Sequence, residues 1–581
     1  MAAMERNPTL AGPIGGNALA TAFDVVTSAS ELAAALAFLR ECSEPIGVDV
    51  ETTGLNPRRD RLRLVSVATS TGVLVVDVDR VRPDELLVVL NEKHLVFHHA
   101  AFDLSFLRHF VPGFGKTVFD TMLASQVLDA GHPPEKGFHS LARVCERHLG
   151  VDLDKALQVS DWSGALSGEQ LRYAALDAAV LLPLHERLGE KLLEADLVDT
   201  MELESRCLSG IVAMSTAGVP FDEWRWIHRV SEDDRDSVRA LKRLETVALE
   251  YGGNGINWNS GPQIKGFFLR RGLSLADTQR DTLSRLTDPV ATALVAYKEA
   301  ASAVSRYGAD FAEVVGGRIF PSWHQIGAAS GRMSCSSPNL QALPRDKRYR
   351  SCIRAKEGYA LVATDLSQIE LRIAAKISGD QRLRGIFQNR QDLHTITAQS
   401  ILGLKEVTKE QRQLAKALNF GLLYGMGPAT LQTYARVDYG INLTERQAAA
   451  YRETFFLTYP GLRRWHREVV SGWNTETRTL GGRRRLLSDR TSFTQILNTP
   501  VQGTGADGIK AAIALLWERR KACPEGSLVL AVHDELVVEV PTAKVAAAKT
   551  WLEGAMTDGM APLIAPVPVE VETTVEFTEA E

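Results

Sequence analysis

Apolar and polar positions first alternate between two periods. "AFDVV" has the spacing of a strand, "SASELAAALAFLREC" repeats apolar residues at helical spacing, and "PIGVDVETTG" returns to period two. Ser28 and Glu31 are spaced as a capping box, so a helix is predicted to start there. "RLRLVSVATSTGVLVVDVD" predicts a hairpin. From about 82 to 195 helical patterns dominate around one short strand, "HLVFHHA". Residues 196–305 read as mostly helical and carry no chemical motif, which suits a rod or clamp. After 306 the pattern is mixed: a strand in "GYALVATD", helices from about 380 to 475, then strand–turn–strand in "SLVLAVHDELVVEVP". Residues 1–22 read as a flexible tail, and no internal repeat or low-complexity linker stands out.

Composition changes this picture little. The 581 residues are enough for several domains, and 45% hydrophobic with 24% charged residues is ordinary for globular chains. A net charge of -5 argues against uniform coating of nucleic acid but allows local basic grooves. Cations cluster in "PRDKRYRSCIRAK" (344–356) and "GGRRR" (481–485), where a solvated face is the ordinary reading. Six cysteines without a CxxC pair give no zinc signal and suit a reducing compartment. No run of about 18 apolar residues is present, and the leader lacks a cationic start followed by an apolar core. A cytoplasmic chain is expected.

Candidate chemistry begins with "RQLAKALNFGLLYG". Arg412, Lys416, Phe420 and Tyr424 stand four apart, so on a helix they wind slowly along one face for about 18 Å. An amphipathic helix with solvated cations is one reading; a ligand with phosphates at one end and a base at the other is the second. Asp49 and Glu51, two apart in a strand, share a face. Asp103 follows a short apolar strand, and Tyr173 and Asp177 are four apart on a helix. Asp365 ends a second apolar strand, and Asp534, between His533 and Glu535, sits at a hairpin tip. Individually these acids read as strand edges, caps or turns.

In order and spacing, "GVDVETTG", "FHHAAFDLSFL" and "YAALDAAVLL" resemble the Tyr-x-x-x-Asp subclass of DEDD exonucleases. The resemblance implies an RNase H-like domain in which Asp49, Glu51, Asp103 and Asp177 hold two divalent metals and Tyr173 orients water. An unperturbed phenol near pKa 10 would be a poor base at neutral pH. Relatives often read His-Asn-Ala-x-Phe-Asp, whereas His99 stands at the asparagine position here.

"LVATDLSQIELR", "RQLAKALNFGLLYG" and "LAVHDELVVEV" together resemble the three signatures of family A DNA polymerases, the group containing the large fragment of bacterial DNA polymerase I and phage replicative enzymes. The resemblance runs from about residue 23 to the end. It implies a multidomain α/β and α+β chain: exonuclease (23–195), then a right-hand polymerase of thumb (196–305), palm (306–380), fingers (381–475) and returning palm (476–581). Asp365 and Asp534 would hold two magnesium ions, replaceable by manganese, for phosphoryl transfer. Arg412 and Lys416 would grip the triphosphate, with Lys416 at the leaving pyrophosphate. Phe420 would meet the sugar and base, and Tyr424 the templating position. Glu370 would exclude a ribose 2′-OH, with Gln368 and His394 also at the nucleotide. Arg332, Asn339, Gln341, Asn498, Gln502 and His533 would contact DNA. The 345–356 and "GGRRR" cations would contact phosphates. Leu366 stands where tyrosine is usual, and "SFTQIL" lacks the usual Glu-Arg pair.

The implied partners are primer–template DNA and deoxynucleoside triphosphates, and the implied state is a monomer. No 5′-nuclease is expected ahead of the exonuclease. A single-subunit RNA polymerase is the enzymatic rival, disfavoured by the proofreading motifs and Glu370. A silent DNA-binding scaffold is the other rival, disfavoured by the presence of all six metal-binding carboxylates.

Overall fold

The computed structural model describes residues 22–577 apart from 134, 156, 158, 345, 473 and 474. The tail expected at 1–22 therefore lies outside the described residues, apart from its last position.

The N-terminal third is built on a six-stranded sheet. Its strands are β1 (Phe23–Val26), β2 (Ile46–Thr52), β3 (Leu62–Thr69), β4 (Gly72–Asp77), β5 (His94–Phe97) and β6 (Thr117–Asp120), in the order β1-β4-β3-β2-β5-β6. β3 and β4 form the predicted hairpin, antiparallel to each other. β2 is antiparallel to β3 and parallel to β5. The strand β6 falls inside the stretch read as helical, where only "HLVFHHA" was expected to be extended. Helix α1 (Ala29–Glu41) starts at the predicted capping box, with Ser28 and Glu31 bonded reciprocally.

Two more helices position chemistry in this domain. α2 (Ala100–Leu107) follows β5, and α3 (Gly168–Ala179) crosses β2, β3 and β4. Gly47 explains how α3 comes so close: a Cβ there would lie 2.9 Å from the carbonyl oxygen of Ala178. Two residues further along the same strand face is Asp49.

A long helix, α4 (Val198–Ala217), links this unit to the rest and packs on both. Beyond it, α5 (Glu223–Leu249) and α6 (Pro289–Arg306) pair lengthwise. Residues 244–297 enclose their own apolar core, including Leu244, Trp258, Phe267, Leu294 and Tyr297.

The largest core surrounds a four-stranded antiparallel sheet. It contains β7 (Tyr359–Leu366) and, later in the chain, β10 (Ser527–Val532), β11 (Glu535–Pro541) and β12 (Val571–Phe577), in the order β10-β11-β7-β12. Helix α7 (Ile369–Ser378) leaves the end of β7. Helices between Gln381 and Ser471 include α8 (Lys409–Leu423) and α9 (Pro428–Tyr439). A small hairpin of β8 (Glu476–Arg478) and β9 (Arg484–Leu486) follows. Helices α10 (Thr504–Glu518) and α11 (Val545–Ile564) pack together, with α11 against the sheet and α4 against α10. Among the described residues no helix is long and apolar enough to cross a membrane.

The "GGRRR" run corrects an expectation. Arg483 is 2% exposed and pairs with Asp507 (2.7 Å) and with Glu204 on α4. Arg484 donates to the carbonyl of Leu128 at 2.8 Å, and the Leu486 amide donates to Ala130 at 2.7 Å. These groups fasten the β8–β9 hairpin to the N-terminal domain, so Arg483 and Arg484 are structural and not phosphate contacts. In the 345–356 run, Arg345 lies outside the described residues, and Arg348 pairs with Asp346.

Candidate active sites

The first site forms where α2 and α3 meet β2. Period two puts Asp49 and Glu51 on one face, half-buried, while Val48 and Val50 are buried on the other. Asp103 is not an N-cap but the fourth residue of α2, 3% exposed; His99 precedes the helix in the left-handed region at φ 67°. Asp120 accepts the backbone N–H groups of His99 and Ala100 at 3.0 and 2.8 Å, which fixes that turn. Tyr173 and Asp177 lie one turn apart on α3, 9% and 6% exposed.

Burial and mutual repulsion dominate the electrostatics. Burial, then Asp177, pushes Asp49 up to about 8; burial, then Asp49 and Asp177, pushes Glu51 up to about 10. Asp103 is raised by burial and by Asp49, and Tyr173 by burial and Asp177, so the phenol stays protonated. The cation opposing this repulsion escaped the sequence analysis. Lys155 Nζ lies 2.6 Å from Asp177 Oδ2 and 3.3 Å from the Tyr173 hydroxyl. Nothing around "DLDKALQ" marks it, since its partners come from a helix that begins thirteen residues later.

Among the described residues no three His, Cys, Asp or Glu side chains converge tightly enough to hold an ion as they stand. The donor chemistry nevertheless fits hard divalent cations: buried carboxylate oxygens, no sulfur, and proton affinities raised by repulsion that a cation would relieve.

The second site opens at the end of β7. Asp365 is directly opposite Glu535 on β11 and Glu572 on β12, so three carboxylates share one sheet face. Asp534 follows His533, which sits at φ 54°, and its carbonyl accepts the Leu366 amide at 3.1 Å. Burial, opposed by Arg332 and reinforced by Glu370 and Asp365, pushes Asp534 up to about 7. Burial and Glu572 also raise Asp365. Again the oxygen donors fit a hard divalent ion.

Glu370 ties the signatures together. Arg332 donates to its Oε1 at 2.8 Å and the Tyr424 hydroxyl donates to Oε2. Tyr424 also contacts Gln502. Gln368 caps α7 from the left-handed region at φ 53°, and its Oε1 is buried without a partner among the described residues. Asn498 has a similarly unpartnered Oδ1, Gln341 donates to the Ala531 carbonyl at 3.1 Å, and Asn339 accepts the Ala342 amide at 3.2 Å.

The stripe on α8 is partly as expected. Arg412, Lys416 and Phe420 are half-exposed on α8, and Arg412 pairs with Asp392 at 2.7 Å. Tyr424 departs from it: it is the C-cap, buried, and turned to Glu370. Gly421 lets α9 pack closely, since a Cβ there would come within 2.9 Å of the Leu431 side chain, which would have to shift. His394 is 3% exposed, with the Asn419 amide at 2.8 Å from its Nδ1, Phe420 beside it (ring centroids 6.1 Å apart), and the charges of Arg412 and Lys416 acting on it.

Comparison with known proteins covers nearly the whole chain. A model described as DNA polymerase family A matches residues 228–579, and one described as 3′–5′ exonuclease matches 23–193. The chain is 32% identical to DNA polymerase I of Aquifex aeolicus, over 95% of this chain and 98% of that protein. It is also 32% identical to the thermostable DNA polymerase I of Thermus filiformis, over 72% of this chain but 52% of that longer protein. A solved structure, the POL domain of Pol1 from M. smegmatis in complex with DNA primer-template and dNTP, superposes with a TM-score of 0.80 at 25% identity, covering 95% of this chain and 98% of that one.

Proposed function

The chain belongs to DNA polymerase family A and carries a 3′–5′ exonuclease domain ahead of its polymerase domain, and on that premise we propose how its residues divide the work. It performs template-directed DNA synthesis with exonucleolytic proofreading.

In the polymerase, Asp365 and Asp534 hold the divalent ions, with Glu535 and Glu572 setting the local field. Bound magnesium or manganese supplies charge neutralisation and activation of the primer 3′ oxygen. Arg412 and Lys416 grip the triphosphate, which draws Arg412 from Asp392. Phe420 lies under the sugar and base. Glu370, held by Arg332 and Tyr424, fills the place of a 2′-OH; this tie is the observation that carries the reading. Arg332, Asn498 and Gln502 read the minor-groove edge, and Asn339, Gln341 and His533 face the DNA backbone. The α5–α6 pair acts as the thumb and the helices of 381–475 as the fingers. In the exonuclease, Asp49, Glu51, Asp103 and Asp177 hold the ions, and the protonated Tyr173 orients water by hydrogen bonding. The partners are primer–template DNA and deoxynucleoside triphosphates, the working state a monomer, and the compartment the cytoplasm.

Primer extension with matched and mismatched ends tests this reading. Asp49→Ala with Glu51→Ala should abolish degradation of single-stranded DNA and spare extension. Asp365→Ala or Asp534→Ala should cut extension by several orders of magnitude and spare degradation. Joint loss of both activities in a folded variant would refute the two-site assignment.

A further inference from the structure

We propose that Lys155 is a catalytic residue of the exonuclease, whose ammonium group the segment ahead of α3 delivers to the phosphodiester being cut. The proposal rests on the reading of Asp49, Glu51, Asp103 and Asp177 as the nuclease site.

The geometry places Lys155 inside that site. Its Nζ is 2.6 Å from Asp177 and 3.3 Å from the Tyr173 hydroxyl, and it stands 5.1 Å from the centre of the tyrosine ring. Its side chain is 22% exposed, against 9% for Asp177, so the residue is not sealed from solvent. The same charge acts on Asp49 and Glu51 as well as on Asp177. A purely structural ion pair would be satisfied by one carboxylate remote from the chemistry. Lys155 instead sits between an acid and the phenol that flank the reacting water.

Charge balance supplies the second argument. Four carboxylates are neutralised by two divalent ions alone, which leaves the ammonium charge over. The anion that the reaction introduces is one phosphodiester, carrying one negative charge. Lys155 therefore has a partner in the loaded site only when the substrate is present. Its four-carbon stem allows Nζ to leave Asp177 for a non-bridging oxygen without backbone movement.

The step balances without proton transfer by Lys155. A water oxygen bonds to phosphorus and its proton passes to solvent. The bond from phosphorus to the 3′ oxygen of the preceding nucleotide breaks, and that oxygen keeps the electron pair and is protonated from solvent. The terminal nucleotide leaves as a 5′-monophosphate. Negative charge gathers on the non-bridging oxygens in the transition state, where a fixed cation is most effective.

The test uses Lys155→Met and Lys155→Arg in the full chain, with single-stranded DNA and magnesium. For Lys155→Met the exonuclease kcat should fall roughly 100-fold, the effect typical of one lost oxyanion donor, with a smaller change in KM. Lys155→Arg should recover part of the loss, and primer extension should be unchanged. Manganese binding, followed by electron paramagnetic resonance in an Asp365→Ala background, should stay within about threefold of the parent. A wild-type kcat in Lys155→Met would overturn the proposal, and so would loss of cleavage in parallel with loss of manganese binding. Undiminished cleavage by the Asp49→Ala, Glu51→Ala control would instead overturn the underlying assignment of the site.

Discussion

Replacing Glu204 with glutamine should loosen the joint between the two catalytic units more than any exposed ion-pair change. Glu204 is fully buried on α4 and accepts from Arg483 on the β8–β9 hairpin, from Lys510 on α10, and from Gln325 at 2.6 Å. Lys510 is also fully buried. Glutamine keeps the shape and one acceptor but removes the charge that both cations face. Breaking a buried pair from one side costs about 3–5 kcal/mol, because the remaining charge is left uncompensated in a medium that solvates it poorly. The pair Arg206–Glu518 on the same two helices, at 43% and 41% side-chain exposure, provides the contrast; such a surface pair is worth about 0–1 kcal/mol. Amide hydrogen exchange in α4 and α10 measures the local opening without assuming that the whole chain unfolds in one step. Glu204→Gln should speed exchange there by roughly 10²–10⁴-fold, and Arg206→Ala by less than about tenfold. The pH dependence has a definite sign. Burial alone would raise the Glu204 carboxyl, but Lys510 and Arg483 hold it below its ordinary 4.5. The stability it contributes is therefore present above about 4.5 and is lost as pH falls through the lower folded value, so the difference between wild type and variant should shrink in acid. Equal effects of Glu204→Gln and Arg206→Ala would refute the claim that this cluster fastens the domains.

Three further outcomes follow from single contacts. Gly47→Ala puts a methyl 2.9 Å from the Ala178 carbonyl, so α3 must shift; exonuclease activity should fall at least tenfold with extension unchanged, and equal activity would mean that α3 is not positioned from β2. Glu370→Ala should admit ribonucleotides more readily in competitive incorporation, and should also weaken extension several-fold because Arg332 and Tyr424 lose their common partner; an unchanged discrimination ratio would place the sugar elsewhere. Phe420→Tyr should ease dideoxynucleotide entry by a few-fold to about a hundredfold, since a phenol can replace the missing 3′-OH contact at about 0.5–3 kcal/mol. That comparison belongs in the Asp49→Ala, Glu51→Ala background, where excision cannot disguise an unchanged ratio.

The sequence was most legible where chemistry follows local periodicity. Asp49 and Glu51 two apart, Tyr173 and Asp177 four apart, and Arg412, Lys416 and Phe420 on α8 keep the facing that their spacing implies, because backbone geometry alone decides it. Legibility ended where a partner lies far along the chain. Arg483 looked like a surface cation until Glu204, 279 positions away, and Asp507 enclosed it. The contact of His394 with Asn419, 25 positions away, was equally invisible in the sequence. Strand β6 was missed because four residues ending in Asp120 carry too little pattern to outweigh helical neighbours. Tyr424 continues the spacing of α8 numerically, yet the helix ends at Leu423 and the side chain turns inward.

The two sites share a physical logic that their motifs do not reveal. In each, buried carboxylates repel one another, and one cation from outside the acidic motifs holds an acid at the edge: Lys155 with Asp177, Arg332 with Glu370. Each also has non-glycine residues in the left-handed backbone region beside its acids: His99 before α2, Gln368 between Asp365 and Glu370, and His533 next to Asp534. Such conformations cost on the order of 1–3 kcal/mol each and persist only where surrounding structure imposes them. The opposing stability must come from regions that do no chemistry, and the buried charge cluster around Glu204 is one such region. Because that cluster lies between α4, α10 and the β8–β9 hairpin, it restrains the N-terminal domain and the elements packed on the four-stranded sheet at the same time. Loosening it should therefore change how a primer end is partitioned between extension and excision, even though Glu204 belongs to neither site.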